Sequence, residues 1–429
     1  MKLVRDGGYA NLAVKQVLRG PGLDRRDAAF VTELVFGTCR HLGTLDRIID
    51  AASGREMRTL QPGVADVLRL GAEQILATRV PSHAAVSTSV TLARQEIGPR
   101  TTGVVNAILR RVAARDWDGW IGELTAGSSP LEALALATAH PLWIAEAYAG
   151  LLPGAELPDA LAANNVAPVP TLVARPGLIS RGELLEYGGE PTPFSPWGVV
   201  RVGDPAAVPA VADGRAGVQD EGSQLVAMVL ADAPAPAGDW LDLCAGPGGK
   251  AALLAGLASG RGERLVAADV HEHRAGLVAG ALRGFPDAVV VVADGRRPAW
   301  GPAFSRVLAD VPCTGLGALR RRPEARWRKS PDDLPALAAL QRGLLAAACA
   351  SVEPGGLVAY VTCSPHPAET SEVVRAVVSK TGSEILDAPG RLAVPDARAS
   401  TDPRLIQLWP HRHGTDAMFC ALLRRAADQ

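Results

Sequence analysis

Two cysteines in the C-terminal half of the chain follow directly on apolar runs that are typical of buried strands. One lies in Asp310-Val-Pro-Cys313-Thr-Gly315 and the other in Val361-Thr-Cys363-Ser-Pro365. A thiol at a strand end, beside a bound cofactor, is a candidate nucleophile because its thiolate attacks electron-poor carbon. The commonest role of a free cysteine is that of a small buried apolar residue. We expect that role for three others, Cys39, Cys349 and Cys420.

A glycine-rich turn lies upstream of both cysteines, in Trp240-Leu-Asp-Leu-Cys-Ala-Gly-Pro-Gly-Gly-Lys250. The pattern predicts a buried strand, a turn whose backbone approaches a ligand closely, and a helix that begins near Ala251. A phosphate-binding P-loop would need a glycine where Cys244 stands and Ser or Thr where Ala251 stands. The dinucleotide fingerprint also fails, so the turn favours a ligand without a phosphate chain.

An acidic residue, Asp269, ends the apolar run that follows this turn. A carboxylate in that place commonly accepts hydrogen bonds from ribose hydroxyls. Adenosine joined to an amino acid fits both features, and the predicted cofactor is therefore S-adenosylmethionine. Cys244 is expected to form part of the wall of the site rather than to react. The turn residues expected to line the cofactor site are Cys244, Ala245, Gly246, Pro247, Gly248, Gly249 and Lys250.

The C-terminal half alternates between strand and helix patterns, which predicts an α/β, Rossmann-like domain with a doubly wound and mostly parallel sheet over residues 216–429. Ligands of such sheets bind beyond the carboxyl ends of the strands. Reactive or acidic residues follow five strand ends and are expected to meet at that edge: Asp242, Asp269, Asp294, Asp310 and Cys363. The strand candidates are 240–244, 264–269, 288–293, 306–310 and 357–362.

The N-terminal part is helical in pattern, with apolar residues three or four positions apart and Gly, Pro and Ser between the runs. It predicts an all-helical domain over residues 1–140. Residues 141–215 are expected to form a bridging helix and a small α/β subdomain, with strands at 171–175 and 198–202 and a helix at 181–187.

Three segments of the helical domain resemble the NusB-like RNA-binding fold. They are Gly8-Tyr-Ala-Asn-Leu-Ala13, Val80-Pro-Ser-His-Ala-Ala-Val86 and Val105-Asn-Ala-Ile-Leu-Arg-Arg111. The resemblance implies an RNA partner for this domain. The sequence departs from the family in one respect, because only a few residues precede the first segment where a full helix is usual.

Composition sets limits on the class of protein. The formal net charge of −1 gives no global basic field, so any nucleic-acid contact must come from a local patch. The six cysteines show no C-x-x-C spacing, which indicates a reduced, cytoplasmic protein without a disulfide framework or a metal site. No signal peptide and no apolar run of membrane-spanning length is expected, and a monomer is expected.

The two cysteine motifs, about fifty residues apart, together with the upstream glycine turn resemble the RNA (cytosine-5) methyltransferase family. With the NusB-like segment in front, the combination is most similar to the bacterial members that act on small-subunit rRNA. The resemblance implies that Cys363 attacks the base and that Cys313 assists product release. It further implies that Asp310 faces the base, while Asp269 holds the ribose and Lys250 lies near the methionine end. The other implied cofactor-side residues are Asp294, near the adenine, and Arg274.

The chemistry explains why a thiol is useful. Carbon 5 of cytosine is a poor nucleophile until a thiolate adds to carbon 6. Carbon 5 then takes the methyl group, the carbon 5 proton leaves, and the thiol is eliminated. Three alternatives stay open. Cys313 attacks instead of Cys363, the enzyme methylates an exocyclic nitrogen, or the chain is a non-enzymatic RNA-binding protein.

A cluster of positive charge follows the Asp310–Gly315 loop and predicts a phosphate-contact patch beside the site, with a solvated charged loop as the alternative. Trp327 within it is a candidate for stacking on a base. Because pairing in a duplex hides carbons 5 and 6, the substrate cytosine is expected to be single-stranded or flipped out. The cationic residues are Arg320, Arg321, Arg322, Arg326, Arg328 and Lys329.

Overall fold

The structure is a computed structural model, and it describes residues 1–20 and 22–426. The helices before residue 170 are α1 Lys2–Arg5, α2 Ala10–Leu18, α3 Arg25–Ser53, α4 Pro62–Ala77, α5 Ser82–Glu96, α6 Thr102–Val112, α7 Trp117–Leu124, α8 Pro130–Ala137, α9 Leu142–Ala149 and α10 Leu157–Ala163. The later helices are α11 Arg181–Leu185, α12 Pro209–Ala212, α13 Glu221–Asp232, α14 Gly249–Ser259, α15 Glu272–Leu282, α16 Ala325–Arg328, α17 Leu334–Ser351, α18 Ser371–Thr381 and α19 Pro410–His413.

The strands all follow residue 170. They are β1 Thr171–Ala174, β2 Glu190–Pro191, β3 Gly198–Val200, β4 Ala216–Val218, β5 Trp240–Asp242, β6 Leu265–Asp269, β7 Val289–Val292, β8 Phe304–Asp310, β9 Val352–Thr362, β10 Glu384–Ile385, β11 Arg398–Ala399, β12 Asp402–Gln407 and β13 Phe419–Arg424.

The described residues form two compact units. The first contains residues 1–166 and, from much later in the chain, residues 319–330. The second contains residues 167–318 and 331–429 as far as they are described. The predicted bridging segment is thereby split, because 141–166 belong to the first unit and the small sheet belongs to the second. The two predicted domain boundaries, at 140/141 and 215/216, stay predictions.

The first unit is helical, as its sequence pattern predicts. Its core packs the apolar faces of α3 to α6 around Leu45, Leu68 and Leu109, which are fully buried. The longest helix, α3, begins where the Asp24 carboxylate accepts a hydrogen bond from the Asp27 backbone N–H. This capping satisfies one of the N–H groups that a helix start leaves without a partner.

The first unit also contains the predicted phosphate-contact patch, and here the prediction is wrong for Arg326, which is buried. The Arg326 side chain is fully buried and donates to the carbonyls of Ala139 and Asn164, at 2.9 and 3.2 Å. Trp327 donates from its indole N–H to the Arg40 carbonyl at 3.1 Å. The Arg328 guanidinium donates to the carbonyls of Gly7 and Gly8, at 3.2 and 2.6 Å.

The charge run suggests phosphate contact, but Arg326, Trp327 and the exposed Arg328 each donate to backbone carbonyls of the protein itself. A buried guanidinium makes up for its lost hydration by such hydrogen bonds. Burial lowers the pKa of Arg326 to about 9. Arg322 is exposed and lies over the ring of Tyr9, at 5.1 Å from its centroid.

The second unit contains the predicted doubly wound sheet. Strands β7, β6, β5, β8 and β9 are neighbours in that order and run parallel. The small sheet β2-β3-β1-β4 is antiparallel. Its strands β1 and β3, and the helix α11 between them in sequence, lie where the sequence predicts them. The sequence analysis missed the far end of the large sheet, where β13, β12 and β11 add antiparallel strands beyond β9.

Apolar helices cover both faces of the large sheet. On one face α13 and α14 pack buried leucines such as Leu225 and Leu254. On the other face α17 packs Leu344 and Leu345 against β8 and β9. The segment Pro331–Ser351, which includes α17, is long and apolar enough by length and composition to cross a membrane. The expectation that no such run exists was therefore wrong, and the helix packs here as a core helix.

Candidate active site

The register of the parallel strands brings their carboxyl ends to one edge. Asp242 of β5 pairs with Ala267 of β6 and with Leu308 of β8, so all three strands end near the same level. Asp310 of β8 pairs with Val361 of β9, directly before the second cysteine motif. This alignment positions residues that are up to 121 positions apart, from Asp242 to Cys363, around one edge.

The glycine turn follows β5 and leads into α14, as the sequence predicts. Gly248 has a φ of +106°, which side chains other than glycine rarely adopt. A Cβ atom at Gly246 would come within 2.5 Å of both the Asp269 carboxylate and the Arg274 guanidinium. The backbone therefore lies against the end of β6 with no space for a side chain at this point.

Asp269 and Arg274 fix the turn in that place. The Asp269 carboxylate accepts hydrogen bonds from the backbone N–H groups of Gly246, at 3.1 Å, and His271, at 2.9 Å. Arg274 forms an ion pair with Asp269 at 3.4 Å and also donates to the Gly246 carbonyl. The two predicted cofactor-side residues and the turn are thus one hydrogen-bonded group.

Asp294 lies just after β7, and the backbone N–H of its neighbour Ala293 donates to the Asp269 carbonyl at 3.1 Å. Its carboxylate forms an ion pair with Arg296 at 2.7 Å. Hydrogen bonds from Arg296 lower the pKa of Asp294 to about 2. The structure thus brings the Asp294 backbone close to the end of β6, while its carboxylate pairs with a neighbour in sequence.

Asp242 is a buried carboxyl whose Oδ1 has no hydrogen-bond partner among the described residues. Burial, and next the negative charge of Asp310, raise the pKa of Asp242 to about 7. Lys250 from the start of α14 forms an ion pair with Asp310 at 2.8 Å. Burial alone would lower the pKa of Lys250, but the attraction of Asp310 outweighs it and the pKa is raised.

These residues fit S-adenosylmethionine. The unpaired Asp242 oxygen is a buried acceptor, which native structures rarely leave without a donor. The Asp269 carboxylate ends the strand that follows the glycine turn, a position that in such sheets commonly accepts hydrogen bonds from ribose hydroxyls. The turn at Gly246–Gly249 offers close backbone approach at the start of a helix.

The two cysteines of the predicted pair meet. The Cys313 and Cys363 sulfurs are 3.4 Å apart, and both side chains are partly exposed. A hydrogen bond to Cys363, and next burial, raise the pKa of Cys313 well above its ordinary value. The negative charge of Cys363 contributes to the raised pKa of Lys250. The Cys363 sulfur therefore lies at hydrogen-bond distance from the Cys313 sulfur, and its charge acts on Lys250.

The other cysteines behave as predicted. Cys39, Cys349 and Cys420 are buried, and burial raises the pKa of each thiol. Cys244 lies in the glycine turn, and burial, followed by the charge of Asp242, raises the pKa of its thiol. Neutral buried thiols are poor nucleophiles.

Two residues at this edge were missed by the sequence analysis. Gln219 lies beside the glycine turn, with its side-chain carbonyl 3.9 Å from the position of a Cβ at Gly249 and its Oε1 without a hydrogen-bond partner among the described residues. Glu369 is a fully buried carboxylate six residues after Cys363. No local sequence signal marks Glu369, because His366 and Glu372 make the same stretch polar.

The raised pKa of Asp242 predicts a pH-dependent stability. The carboxyl ionises near 3.8 in the unfolded chain and near 7 in the folded one, so the folded state binds the additional proton between these values. The protonated Asp242 carboxyl makes its full contribution to the free energy of unfolding below pH 3.8, and this contribution is lost as the pH rises through 7. The free energy of unfolding of Asp242→Asn, relative to that of wild type, should therefore increase by about 3 kcal/mol between pH 5 and pH 8. Calorimetric melting at both pH values measures this gain, and an equal difference at both would contradict it.

Comparison with known proteins places this geometry in a family. The profile of the family described as 16S rRNA methyltransferase RsmB/F matches residues 226–424, and that of the NusB family matches residues 5–114. A Mycobacterium tuberculosis protein described as a candidate methyltransferase is 50% identical, covering 97% of this chain and 93% of its own length. The ribosomal RNA small subunit methyltransferase B of Pseudomonas putida is 33% identical, covering 94% of this chain and 92% of its own.

Solved structures agree on the fold. One crystal structure, of the protein PH0851, superposes with a TM-score of 0.78 at 24% identity and covers 94% of this chain and 91% of its own. A methyltransferase homolog from Pyrococcus horikoshii superposes with a TM-score of 0.59, covering 69% of this chain and 99% of its own. The aligned strand ends, the glycine turn and these similarities lead to one conclusion: the chain belongs to the RsmB/F family of S-adenosylmethionine-dependent 16S rRNA methyltransferases.

Proposed function

We propose that the chain methylates carbon 5 of a cytosine in small-subunit rRNA, through a covalent adduct of Cys363 to carbon 6, and that Cys313 aids release. The observation that carries the proposal is the pair of thiols at 3.4 Å. A methyltransferase acting on an exocyclic nitrogen has no use for a second cysteine at that place. The Lys250–Asp310 ion pair beside the thiols completes the group of reacting residues.

The first step is attack by Cys363. Its thiolate is stabilised by the Cys313 S–H and by the nearby Lys250 ammonium, both of which favour the charged sulfur. A bond forms between sulfur and carbon 6, and the electron pair of the carbon 5–carbon 6 double bond moves to carbon 5. Asp310 faces the N3 and N4 edge of the base in this proposal, where its hydrogen bonding favours the adduct.

S-adenosylmethionine, when bound, supplies an electrophilic methyl group. In this proposal Asp269 orients the ribose, Asp294 lies beside the adenine, and Lys250 lies near the methionine end. The turn residues Cys244, Ala245, Gly246, Pro247, Gly248 and Gly249, with Arg274, form the rest of the cofactor wall.

The last step restores the aromatic base. The carbon 5 proton is lost to water, its electron pair re-forms the double bond, and the carbon 6–sulfur bond breaks with its pair returning to Cys363. The Cys313 S–H donates a hydrogen bond to the departing sulfur and so stabilises it as a thiolate. The same hydrogen bond that raises the pKa of Cys313 therefore accounts for its role in release.

The proposal includes an RNA partner whose target cytosine is single-stranded or flipped out, since stacking and pairing block the faces of carbons 5 and 6. It also includes a monomeric enzyme in the cytoplasm. All six cysteines are free in the structure, which fits a reducing compartment.

The test uses purified protein, labelled S-adenosylmethionine and unmethylated small-subunit rRNA. After digestion to nucleosides, chromatography separates 5-methylcytidine from N4-methylcytidine. We expect label in 5-methylcytidine alone. Label in N4-methylcytidine would replace the proposal by exocyclic methylation, and a protein that binds no S-adenosylmethionine would replace it by a non-enzymatic RNA-binding role.

A further inference from the structure

A buried carboxylate that the proposed reaction does not use lies beside the two cysteine loops. Glu369 is fully buried in a helical turn before α18. Its Oε1 accepts hydrogen bonds from the Thr314 backbone N–H at 2.8 Å and from the Gln341 side chain at 3.0 Å. Its Oε2 accepts from the Ser364 hydroxyl at 2.6 Å and from the Thr314 hydroxyl.

These donors are immediate neighbours of the reactive residues. Thr314 follows Cys313, and Ser364 follows Cys363. The two hydroxyls are themselves 3.1 Å apart. A single carboxylate thus connects both loops at the residue next to each thiol.

Two further elements, β9 and α17, hold Glu369 in place through its backbone and its side chain. The Tyr360 hydroxyl of β9 donates to the Glu369 backbone carbonyl at 2.6 Å. The Gln341 side chain of α17 donates both to Glu369 and to the carbonyl of Pro312, the latter at 2.9 Å. The network therefore extends to the residue before Cys313 as well as to the residue after it.

Burying a carboxylate is costly unless donors replace its hydration, and four donors do so here. Hydrogen bonds to an ionised acceptor are shorter and stronger than neutral ones. Both oxygens of the carboxylate are satisfied, whereas the buried Oε1 of Gln341 has no hydrogen-bond partner among the described residues. Buried hydrogen bonds of this kind make the groups that they satisfy rigid. The loops can change their separation only by breaking charge-assisted bonds.

We propose that Glu369 is a positioning residue that sets the distance between the Cys313 and Cys363 thiols. It acts through Thr314 and Ser364 and touches no reacting atom. The inference rests on the proposed function in that both thiols take part in one reaction. A misplacement of about 1 Å in such a site costs on the order of 100-fold in rate.

The thiol distance is measured directly with phenylarsine oxide, which bridges two thiols only when they lie close together. Two arsenic–sulfur bonds form, the arsenic–oxygen bond breaks, and the two thiol protons leave with the oxygen as water. Intact-protein mass spectrometry follows the bridged product over time. Cys313→Ala and Cys363→Ala establish that the capture reports on this pair.

We expect wild type to form the bridged product and Glu369→Ala to form it at least about tenfold more slowly, since its loops lose their common acceptor. Glu369→Gln should lie in between, because its amide oxygen still accepts from the Thr314 N–H while its NH₂ group forces the hydroxyls to turn. The matched control is Glu372→Gln, an exposed carboxylate three residues further on, which should capture like wild type.

Melting temperature and calorimetric binding of S-adenosylhomocysteine separate positioning from loss of fold. Folded Glu369→Ala should bind S-adenosylhomocysteine with a dissociation constant within about twofold of the wild-type value. Its kcat for RNA methylation should fall by on the order of 100-fold. If Glu369→Ala does not fold, Thr314→Val and Ser364→Ala each remove one hydroxyl donor and should each slow capture.

Capture at the wild-type rate by folded Glu369→Ala, or by both hydroxyl variants where that protein does not fold, overturns the inference. Failure of wild type to capture the arsenical overturns it as well. The arsenical readout does not require methyl transfer. An enzyme that captures as expected yet leaves cytosine unmethylated contradicts the proposed function while the positioning role of Glu369 stands.

Discussion

Replacing Cys363 by alanine should abolish methyl transfer to RNA. Alanine offers no sulfur to add to carbon 6, so carbon 5 keeps its low nucleophilicity and the rate falls by roughly 10⁴-fold or more. The measurement is the initial rate of label transfer from S-adenosylmethionine to unmethylated small-subunit rRNA. Cofactor binding measured by calorimetry should be retained, because the glycine turn and Asp269 form a separate hydrogen-bonded group.

The matched control for this variant is Cys349→Ala. Cys349 is also a free cysteine but is buried on α17, away from the paired sulfurs. It should transfer methyl groups at close to the wild-type rate. A Cys363→Ala protein that transfers at the wild-type rate would rule out the nucleophile assignment, and the attacking thiol would then be Cys313.

Replacing Cys313 by alanine should trap the enzyme on its RNA. Without the S–H donor, the sulfur of Cys363 departs as a less stabilised thiolate, and elimination becomes slower than methylation. With labelled S-adenosylmethionine, a denaturing gel should show a labelled protein–RNA band. Turnover should stop after about one methyl group per enzyme molecule, as expected when an intermediate accumulates.

The double variant Cys313→Ala/Cys363→Ala is the control, and its band should disappear. A band that persists in the double variant would show that another residue forms the adduct. If Cys313→Ala forms no band while wild type labels the RNA, Cys313 has no role in release. If neither protein labels the RNA, naked rRNA is the wrong substrate and a partly assembled subunit is the next one to use.

The catalytic edge was predictable because its determinants are local. A buried strand, a glycine turn and an acidic residue at the next strand end each follow from a few neighbouring residues, and the parallel topology brings such ends together. Cys313 and Cys363 were singled out for this reason, since Cys363 follows β9 directly and Cys313 follows the end of β8 by three residues. Their sulfur–sulfur distance of 3.4 Å required the register of β8 and β9, which no local pattern encodes.

The surroundings of the positively charged run at 319–330, in contrast, could not be predicted from its own residues. Its composition predicted exposure to phosphate, but the partners of Arg326 and Arg328 lie between 161 and 324 residues earlier in the chain. A short segment does not show whether its cations face solvent or distant carbonyls. Glu369 was missed for a similar reason, because its role depends on hydroxyls of Thr314 and Ser364 in two loops. The antiparallel strands β11 to β13 are short or follow turns, and their alternation was too brief to recognise.

The docking of residues 319–330 in the helical unit has a consequence for synthesis on the ribosome. The acceptors of Arg326, in Ala139, Asn164 and Asn165, emerge as part of the first 166 residues. Their donor is translated roughly 160 residues later, a delay of about 10 to 30 s at ordinary elongation rates of about 5–20 residues per second.

During that interval the carbonyls of Ala139 and Asn164 lack their guanidinium donor, so water has to satisfy them. The helical unit can therefore complete its fold only after about half of the strands of the large sheet have been translated. A ribosome that stalls before residue 326 leaves an N-terminal unit that lacks an internal part of itself. Quality control in the cell would meet this fragment as an incompletely folded domain, although its own 166 residues had all been translated.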